Sequence, residues 1–309
     1  MKNAHLLRLS YYSSFSWKLI AIAAIAIFLG GCETGIRENS TDAFQARYDQ
    51  EERVSRTARR ILVSNLQICS TKRKYYGFQA KSLSRSEETE PQGNALGNRY
   101  VLTVTLVVPG SIAERSGLRV GDEITAVNNI HWSKSDPTQS VFGRELKSAL
   151  NASSMRLIVL RNGQKIPIFL RGEDACNATV LFMDGKGTEG YADGRTIVLE
   201  GGLAKLLNND AELAFVIAHE LAHIILGHTA PDRKQDLANR KTRAPMEQEA
   251  DALGIQLMRN AGYNPEAAIT AVRKIDTANR GPIARFLGLY GPYLPTEKRT
   301  ELLRTLAGI

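Results

Sequence analysis

Apolar and polar positions along the chain change their spacing several times, and each pattern predicts a different element. Residues 19–29 form one unbroken apolar run. Between residues 41 and 67 the apolar positions recur at roughly helical spacing among many charges, which predicts an amphipathic helix. Residues 81–94 are polar and contain proline and glycine, as is typical of a linker or exposed loop. From residue 100 to 108 the apolar positions alternate and are often β-branched, which predicts a strand.

The last third of the chain contains a strongly apolar helix and a second helix after it. Asn209 can cap the first of these, and Glu212 follows three residues later, as in a capping box. We interpret His228, at the other end, as a C-terminal residue that interacts with the helix dipole. A polar stretch then leads to Pro245, which suits the first turn of the next helix. Strands in the middle and helices towards the end predict the α+β class.

The composition narrows the class of protein. With 309 residues the chain is long enough for two modest domains, and 43% hydrophobic with 23% charged residues is an ordinary globular balance. This balance excludes a disordered chain and a protein with many membrane spans. The formal net charge is +8, but no basic run is interleaved with aromatic residues, so nucleic acid is not an expected partner.

The amino terminus has the features of an export signal. Basic residues precede the apolar run, which is shorter than the roughly 20 residues of a membrane span and fits a secretory h-region. The segment Leu29–Cys32 resembles the lipobox of bacterial lipoproteins, which implies cleavage before Cys32, its lipidation and attachment to a membrane. Because Glu33 rather than Asp follows, the analogy with lipoprotein sorting favours the periplasmic face of the outer membrane. An ordinary signal peptide that ends near a cysteine is the alternative.

Two further cysteines remain after Cys32, at Cys69 and Cys176. In an oxidising compartment such a pair suggests one disulfide. The two residues flank the middle of the chain, so a bridge between them would close the base of an inserted domain. Two buried free thiols are the alternative.

A series of turn signals follows the predicted strand at residues 100–108. It consists of a Pro-Gly-Ser turn, a short helix that ends in Gly-Leu, a Gly-Asp turn and, after a strand, an Asn turn: Pro109–Ser111, Gly117–Leu118, Gly121–Asp122 and Asn128–Asn129. This series resembles a bacterial PDZ domain over residues 95–172. The resemblance implies a groove in which an extended peptide adds a strand to a sheet edge, with Leu96 and Gly97 as the candidate peptide-binding loop. A PDZ domain that only packs or regulates is the alternative.

The apolar helix contains a candidate metal site. His219 and His223 lie four residues apart on one helix face, where two neutral imidazoles can bind one metal ion. Zinc lowers the pKa of bound water to about 7, and Glu220 could accept that proton as the water attacks a carbonyl carbon. A metal also explains why these polar side chains are tolerated in so apolar a helix. Two histidines with ordinary hydrogen bonds are the alternative.

The second helix supplies two acidic residues at the same spacing. Glu247 can be the third metal ligand, and Asp251, four residues on, can accept a hydrogen bond from the second ring nitrogen of His219. Glu249 points to the opposite side of the helix, so not every acid here is a site residue. A solvated acidic face is the alternative for the pair.

The HExxH pattern followed by Glu-x-x-Ala-Asp resembles zinc metallopeptidases of the HtpX, BepA and CaaX-prenyl-protease type, in the gluzincin group, over residues 173–309. The resemblance implies a mainly helical domain with a small sheet, one zinc ion per chain and polypeptide substrates. It also implies that Tyr191–Leu203 includes a sheet edge that pairs with the substrate backbone. The block Asn260–Ala268 matches the next helix junction of the family.

The sequence departs from the family pattern at one pair of residues and at one single residue. Glu189 and Gly190 stand where an Asn-Ala pair is common, and Tyr293 stands for the histidine of a late His-Pro-x-Thr-x-x-Arg motif whose Thr296 and Arg299 remain. A tyrosine hydroxyl can donate to an oxyanion but is a poor replacement for a neutral zinc ligand. Tyr293 is therefore a candidate oxyanion donor.

These interpretations divide the chain into four parts. We expect a lipoprotein signal peptide at residues 1–32, a helical segment with a linker at 33–94, a PDZ domain at 95–172 and a zinc metallopeptidase domain at 173–309. The resemblances imply an endopeptidase of the bacterial cell envelope that cleaves unfolded or misassembled proteins, with the PDZ domain selecting or gating the substrate. A catalytically silent, chaperone-like factor and a PDZ-based adaptor remain open, as does the oligomeric state.

Overall fold

The structure is a computed structural model, and its described residues are 40–85, 99–132, 141–233, 236, 239–279 and 294–309. Five residues singled out in the sequence, Cys32, Glu33, Leu96, Gly97 and Tyr293, lie outside these ranges, as does the whole predicted signal peptide at residues 1–32. Their predicted roles therefore stay predictions.

The described part of the chain has a β-rich middle, and the parts before and after it are mainly helical. The helices are α1 (Ser40–Ser64), α2 (Ile112–Arg115), α3 (Val141–Ala149), α4 (Gly201–Leu206), α5 (Asp210–Ile225), α6 (Arg240–Asn260), α7 (Ala267–Asn279) and α8 (Thr296–Ala307). The strands are β1 (Lys72–Tyr75), β2 (Phe78–Arg85), β3 (Arg99–Val107), β4 (Glu123–Val127), β5 (Ile130–His131), β6 (Ser154–Arg161), β7 (Gln164–Arg171), β8 (Glu173–Cys176), β9 (Thr179–Met183), β10 (Gly190–Asp193) and β11 (Thr196–Glu200). The predicted α+β class is confirmed. Within the described ranges, every helix is too short or too polar to cross a membrane.

Helix α1 contributes one face to the core of the carboxyl-terminal half. Its apolar residues Val54, Ile61 and Leu62 are buried, and they belong to the same core as α5, α6 and α7. A helix with one apolar stripe is stabilised by packing rather than by its own hydrogen bonds. Although α1 precedes the middle domain in sequence, it therefore packs with the elements that follow that domain.

A two-stranded antiparallel ribbon of β1 and β8 forms the neck of the insertion. A disulfide joins Cys69 to Cys176 beside this ribbon, with Cα atoms 5.5 Å apart. Arg59 of α1 donates to both carboxylate oxygens of Glu173, at 2.7 and 2.8 Å. The chain therefore enters and leaves the inserted domain at one cross-linked place.

The middle domain is a sheet in the order β2-β3-β4-β6-β7, with β5 paired to β4. Strand β2 continues to Arg85 and pairs with β3 throughout, so the predicted linker at residues 81–94 is wrong for residues 81–85. Four of these five residues are polar, which an edge strand tolerates because a solvated edge needs no apolar alternation. The turns match the sequence pattern: Gly117 adopts φ +82°, and Leu118 after it is buried in the core.

The carboxyl-terminal half places a small sheet against helix α5, and α5 in turn packs against α6 and α7. The sheet has the order β10-β11-β9, with β11 parallel to β9 and antiparallel to β10. Nearly every side chain of α5 from Glu212 to His223 is buried, which explains why that helix has little amphipathic character. A helix that is apolar on all sides lies inside the domain, so the polar groups it carries are removed from water.

Candidate metal centre

Contacts at the amino-terminal end of α5 fix its start, but they differ from the predicted capping box. Asn209 Oδ1 accepts a hydrogen bond from the backbone N–H of Ala211 at 2.8 Å. The carboxylate of Glu212 accepts instead from Lys274 Nζ of α7, at 2.7 Å. A cation is a stronger partner than a backbone N–H for a buried carboxylate. The helix cap is therefore Asn209 alone, and Glu212 ties α5 to α7.

The carboxyl-terminal end of α5 turns sharply at Gly227, which adopts φ +73°. The backbone N–H of His228 donates to the carbonyl of His223 at 2.9 Å, and that of Gly227 donates to the carbonyl of Ile224 at 3.2 Å. This pair of bonds is a Schellman motif, which terminates a helix at a left-handed residue. As a result, the ring of His228 returns towards the ring of His223.

Helices α5 and α6 approach each other closely at Gly254. A Cβ atom at this position would lie 3.2 Å from Cα and 3.3 Å from the backbone nitrogen of His219. Glu247 and Asp251 precede Gly254 by seven and three residues, so they lie on the same face of α6. Both carboxylates therefore reach the histidines across a narrow gap.

Three side-chain atoms converge at one point. His219 Nε2 lies 3.2 Å from Glu247 Oε2 and 3.2 Å from His223 Nε2, and His223 Nε2 lies 3.5 Å from Glu247 Oε2. In a tetrahedral zinc site with bonds of about 2.0–2.1 Å, neighbouring ligand atoms lie about 3.3 Å apart. The three residues are buried and offer the nitrogen and oxygen donors that zinc accepts. The predicted ligand set thus has the spacing of three corners of a tetrahedron.

The electrostatics of this point favour positive charge. Burial alone would lower the pKa of His219, but the carboxylates of Asp251 and Glu247 outweigh it and raise the pKa to about 10. Burial would raise the pKa of Glu247, yet the two histidines hold it well below its usual range. A site that raises the pKa of an imidazole and lowers that of the carboxylate beside it attracts a cation, and a metal ion can take the place of the proton.

The outer side of His219 faces Asp251. Asp251 Oδ1 lies 3.0 Å from His219 Nδ1, although the ring N–H is directed off the ideal line. Arg299 of α8 donates to both oxygens of Asp251, at 2.8 and 2.7 Å. Burial alone would raise the pKa of Asp251, but Arg299 and His219 lower it to about 2. The ionised carboxylate is therefore held where it can keep the Nδ1–H tautomer of His219 and leave Nε2 for a metal.

Glu247 is oriented by a residue one helical turn before it. Arg243 Nε donates to Glu247 Oε1 at 2.8 Å, which leaves Oε2 turned towards the histidines. Sequence reasoning missed this contact, although the i, i+4 spacing of Arg243 and Glu247 is a recognisable signal. Sequence reasoning also gave Arg299 no role beyond its place in the late His-Pro-x-Thr-x-x-Arg motif.

Glu220 is buried beside the ligand atoms and has the protonation behaviour of a base. Burial raises its pKa to about 7, with Glu247 adding to the rise and His219 opposing it. A carboxyl group with a pKa near 7 can accept and return a proton at neutral pH. The structure thus brings Glu220 and the three candidate ligand residues together, with Asp251 behind them.

His228 is not the dipole-interacting cap that the sequence suggested. Only its backbone takes part in ending α5, while its ring is buried between His223 and Glu249. Sequence spacing alone failed here because the left-handed turn at Gly227 reverses the direction of the chain after the helix. Glu249 likewise contacts this ring, although its side chain is 61% exposed.

Sequence profiles of known families match two separate parts of this chain. The profile of the PDZ domain covers residues 103–161, and that of peptidase family M48 covers residues 170–239. A third profile, described as an IrrE N-terminal-like domain, covers residues 205–276. Together the two matches support an M48-type metallopeptidase domain combined with a PDZ domain. The M48 match includes the helix with both histidines, and family M48 is generally zinc-dependent.

Curated proteins similar to this chain include proteases from bacteria and a plant. The beta-barrel assembly-enhancing protease of Escherichia coli K12 is 27% identical, over 42% of this chain and 32% of the relative. Its counterpart from Yersinia pestis is 24% identical, over 44% of this chain and 34% of the relative. The mitochondrial metalloendopeptidase OMA1 of Arabidopsis thaliana is 29% identical, over 35% of this chain and 27% of the relative. The matches thus span about a third of the length of these relatives.

Solved structures with local similarity contain PDZ domains or HtrA-type proteases. The PDZ domain of EpsC from Vibrio cholerae is 23% identical, covers 31% of this chain and 78% of that chain, and gives a TM-score of 0.22. The HtrA-type protease AlgW with a decapeptide is 26% identical, covers 33% of this chain and 29% of that chain, and gives a TM-score of 0.23.

Proposed function

We propose that this M48 chain is a zinc-dependent endopeptidase of the bacterial cell envelope that hydrolyses peptide bonds of unfolded or misassembled proteins. One observation carries the proposal. The Nε2 atoms of His219 and His223 and Oε2 of Glu247 converge at 3.2–3.5 Å, with the buried carboxyl of Glu220 beside them. Ordinary hydrogen bonding does not require two imidazole nitrogens to face each other, whereas a shared cation does.

The proposed roles follow from the donor atoms. When bound, zinc would supply a Lewis acid and lower the pKa of a bound water to about 7. His219, His223 and Glu247 would hold the ion. Glu220 accepts a proton from the attacking water and returns it to the nitrogen of the leaving chain, for which a pKa of about 7 is suited. Tyr293 is the proposed hydrogen-bond donor to the oxyanion.

Strand β10 supports an extended polypeptide as the substrate. It is an edge strand that pairs only with β11 among the described strands, and it packs beside α5. Its free edge can pair with the backbone of an extended chain without reading the side chains. Such pairing suits unfolded segments, because a folded protein has few unpaired backbone groups to offer.

The PDZ domain borders a cleft of about 340 Å³ that supports a role in selecting or gating the substrate. Edge strand β2 and helix α3 form one side, and α1 and β9 of the carboxyl-terminal half form the other. A peptide added to β2 would therefore touch both halves of the protein. The loop that leads into β2 includes Gly77, whose φ is +82°. We propose that this loop contributes to peptide binding because it immediately precedes the edge strand; the role predicted for Leu96 and Gly97 stays a prediction.

The proposal also includes a lipid anchor at Cys32. Lipid on Cys32 would attach the protein to the periplasmic face of the envelope, with the outer membrane favoured by Glu33. The similarity to beta-barrel assembly-enhancing proteases supports an envelope location. The substitution Cys32→Ser should move the mature protein from the membrane to the soluble fraction, and mature protein that still sediments with membranes would contradict the anchor.

The first experiment compares casein cleavage by the chain without residues 1–32 and by its Glu220→Gln variant, with the zinc content of both. We expect cleavage by the parent alone and about one zinc per chain in both proteins. Equal zinc with no cleavage by either protein would favour the chaperone-like reading. The intact Glu220 is the observation against that reading, since structural zinc does not need a base.

The role of the cleft has its own test. Leu146 of α3 lines the cleft, and Leu146→Arg should reduce cleavage of casein while leaving cleavage of a short peptide unchanged. An equal loss for both substrates would mean that the change damages the peptidase domain. If Leu146→Arg removes cellular function but Glu220→Gln does not, the PDZ-based adaptor is the better description.

A further inference from the structure

His228 and Glu249 are polar residues at the centre to which the proposed zinc chemistry gives no role. The ring of His228 is 2% exposed, although the set of three ligands is complete without it. His228 Nδ1 lies 3.0 Å from His223 Nδ1, and His228 Nε2 lies 3.1 Å from Glu249 Oε2. Burying an imidazole is costly unless its polar atoms are paired, and here both ring nitrogens have a partner.

The direction of the hydrogen bonds follows from the chemistry of a ligand histidine. His223 turns Nε2 towards the other two ligand atoms, and a nitrogen that binds a metal carries no proton. The proton of neutral His223 is therefore on Nδ1, and His228 Nδ1 must accept it. The proton of neutral His228 is then on Nε2, from which it is donated to Glu249. Only one arrangement of protons satisfies all three groups.

We propose that His228 and Glu249 are positioning residues that hold His223 in the tautomer that presents Nε2 to zinc. This inference rests on the proposed zinc function. The backbone contributes as well, since the N–H of His228 donates to the carbonyl of His223 at the turn made by Gly227. The same turn that ends α5 therefore delivers the partner ring to His223.

The two ligand histidines then have different outer partners. His219 faces Asp251, a buried carboxylate clamped by Arg299. His223 faces a neutral ring that leads to Glu249, whose side chain is largely exposed. Outer partners of ligand histidines typically change metal affinity by 10- to 100-fold when removed. We expect the loss of His228 to fall in this range, about 10- to 100-fold, and the loss of the Glu249 charge to have a smaller effect.

The test uses the full chain with His228→Leu, His228→Gln and Glu249→Gln, and with Glu301→Gln as a control at an exposed glutamate outside the centre. Zinc affinity is measured by competition with a chelating dye at constant pH. We expect weaker binding for His228→Leu, partial restoration in His228→Gln because its carbonyl can accept the proton of His223, and no change in Glu301→Gln. Unchanged affinity in His228→Leu would overturn the proposal.

A second readout separates this inference from the proposed peptidase function. Nitrogen NMR of the histidine rings reports which nitrogen is protonated, with or without zinc. We expect a proton on Nδ1 of His223 and on Nε2 of His228, and the opposite pattern would overturn the proposal. If His228→Leu does not fold, the zinc affinity of Glu249→Gln and the protonation pattern in this spectrum test the proposal instead.

Zinc binding without cleavage by the parent would contradict the peptidase function while leaving the zinc-affinity test of His228 valid. A parent that binds no zinc would contradict both proposals.

Discussion

The PDZ domain and the candidate metal centre each contain a buried aspartate clamped by an arginine, and the two pairs have nearly the same geometry. Asp122 accepts from Nε and Nη2 of Arg161 at 2.6 and 2.7 Å. Asp251 accepts from the same two atoms of Arg299 at 2.8 and 2.7 Å. Each aspartate is 1% exposed. The pairs differ in what else they touch, and this difference separates a structural role from a functional one.

Each ion pair contacts a third group, which is a backbone turn in the PDZ domain and a candidate metal ligand in the other region. Asp122 also accepts from the backbone N–H of Arg119, and Arg161 donates to the carbonyl of Gly117, so this pair closes the turn after α2. Asp251 instead lies 3.0 Å from His219 Nδ1. The same ion pair can therefore stabilise a loop or orient a ligand, and neither its burial nor its geometry distinguishes the two roles.

The largest effect is expected when the pair at the centre is broken by Arg299→Leu. Asp251 would keep its charge in a buried site without its cation, so we expect the free energy of unfolding to fall by about 3–5 kcal/mol. Zinc affinity should fall by about 10- to 100-fold because His219 loses its fixed partner. Urea unfolding and dye competition measure the two quantities. A loss of stability with unchanged zinc affinity would make this pair purely structural, like that of the PDZ domain.

A slightly smaller effect is expected when the neck between the two regions loses its cross-link. Replacing Cys69 and Cys176 together by serine removes a bridge between residues 107 positions apart. The free energy of unfolding should fall by about 2–5 kcal/mol because the unfolded chain gains freedom. Zinc affinity of the protein that remains folded should stay the same, since neither cysteine touches the ligands. A parallel loss of zinc affinity would show that the neck, and not only the third group, shapes the centre.

The matched change in the PDZ domain, Arg161→Leu, should have a smaller effect than Arg299→Leu. After this change Asp122 would keep its hydrogen bond from the backbone N–H of Arg119, and water can partly replace the guanidinium because the side chain of Arg161 is 20% exposed. We expect a loss of about 1–3 kcal/mol in the free energy of unfolding, with zinc affinity unchanged. Proteolysis of the turn after α2 and dye competition measure these outcomes. Weaker zinc binding in this variant would contradict the separation of the two regions.

Local signals in the sequence predicted most of the fold and the ligand set. The PDZ turns were recognisable because glycines such as Gly117 have conformations that few other residues adopt. His219 and His223 were recognisable because they lie within one helix, and Glu247 and Asp251 because they lie within the next. Within a helix, the spacing of two residues determines whether their side chains lie on the same face. Strand β2 was missed, and residues 81–85 were assigned to a linker, because a solvated edge strand has no apolar alternation to reveal it.

The parts of the centre that the sequence did not reveal depend on contacts between distant elements or on a reversal of the chain. Arg299 reaches Asp251 from a helix 48 residues away, and no periodicity within either helix predicts that meeting. His228 lies five residues after His223, and in a continuing helix this spacing would place the two side chains on different faces. It meets His223 only because Gly227 ends the helix in a left-handed turn.

The smallest effect on stability, and the most specific one on the centre, is expected for Gly254→Ala. The new Cβ would lie 3.2 Å from Cα of His219, so α5 and α6 must separate by a few tenths of an ångström. Alanine also favours the helix by up to about 1 kcal/mol over glycine, so the free energy of unfolding should change by less than about 1 kcal/mol. Zinc affinity should nevertheless fall, because Glu247 and Asp251 both move away from His219 with the helix.

Gln256→Ala, at an exposed position of the same helix, is the control and should leave zinc affinity unchanged. A Gly254→Ala protein that binds zinc as tightly as the parent would mean that the ligands adjust across a wider gap, and that the clamp of Arg299 rather than helix spacing controls the position of Asp251.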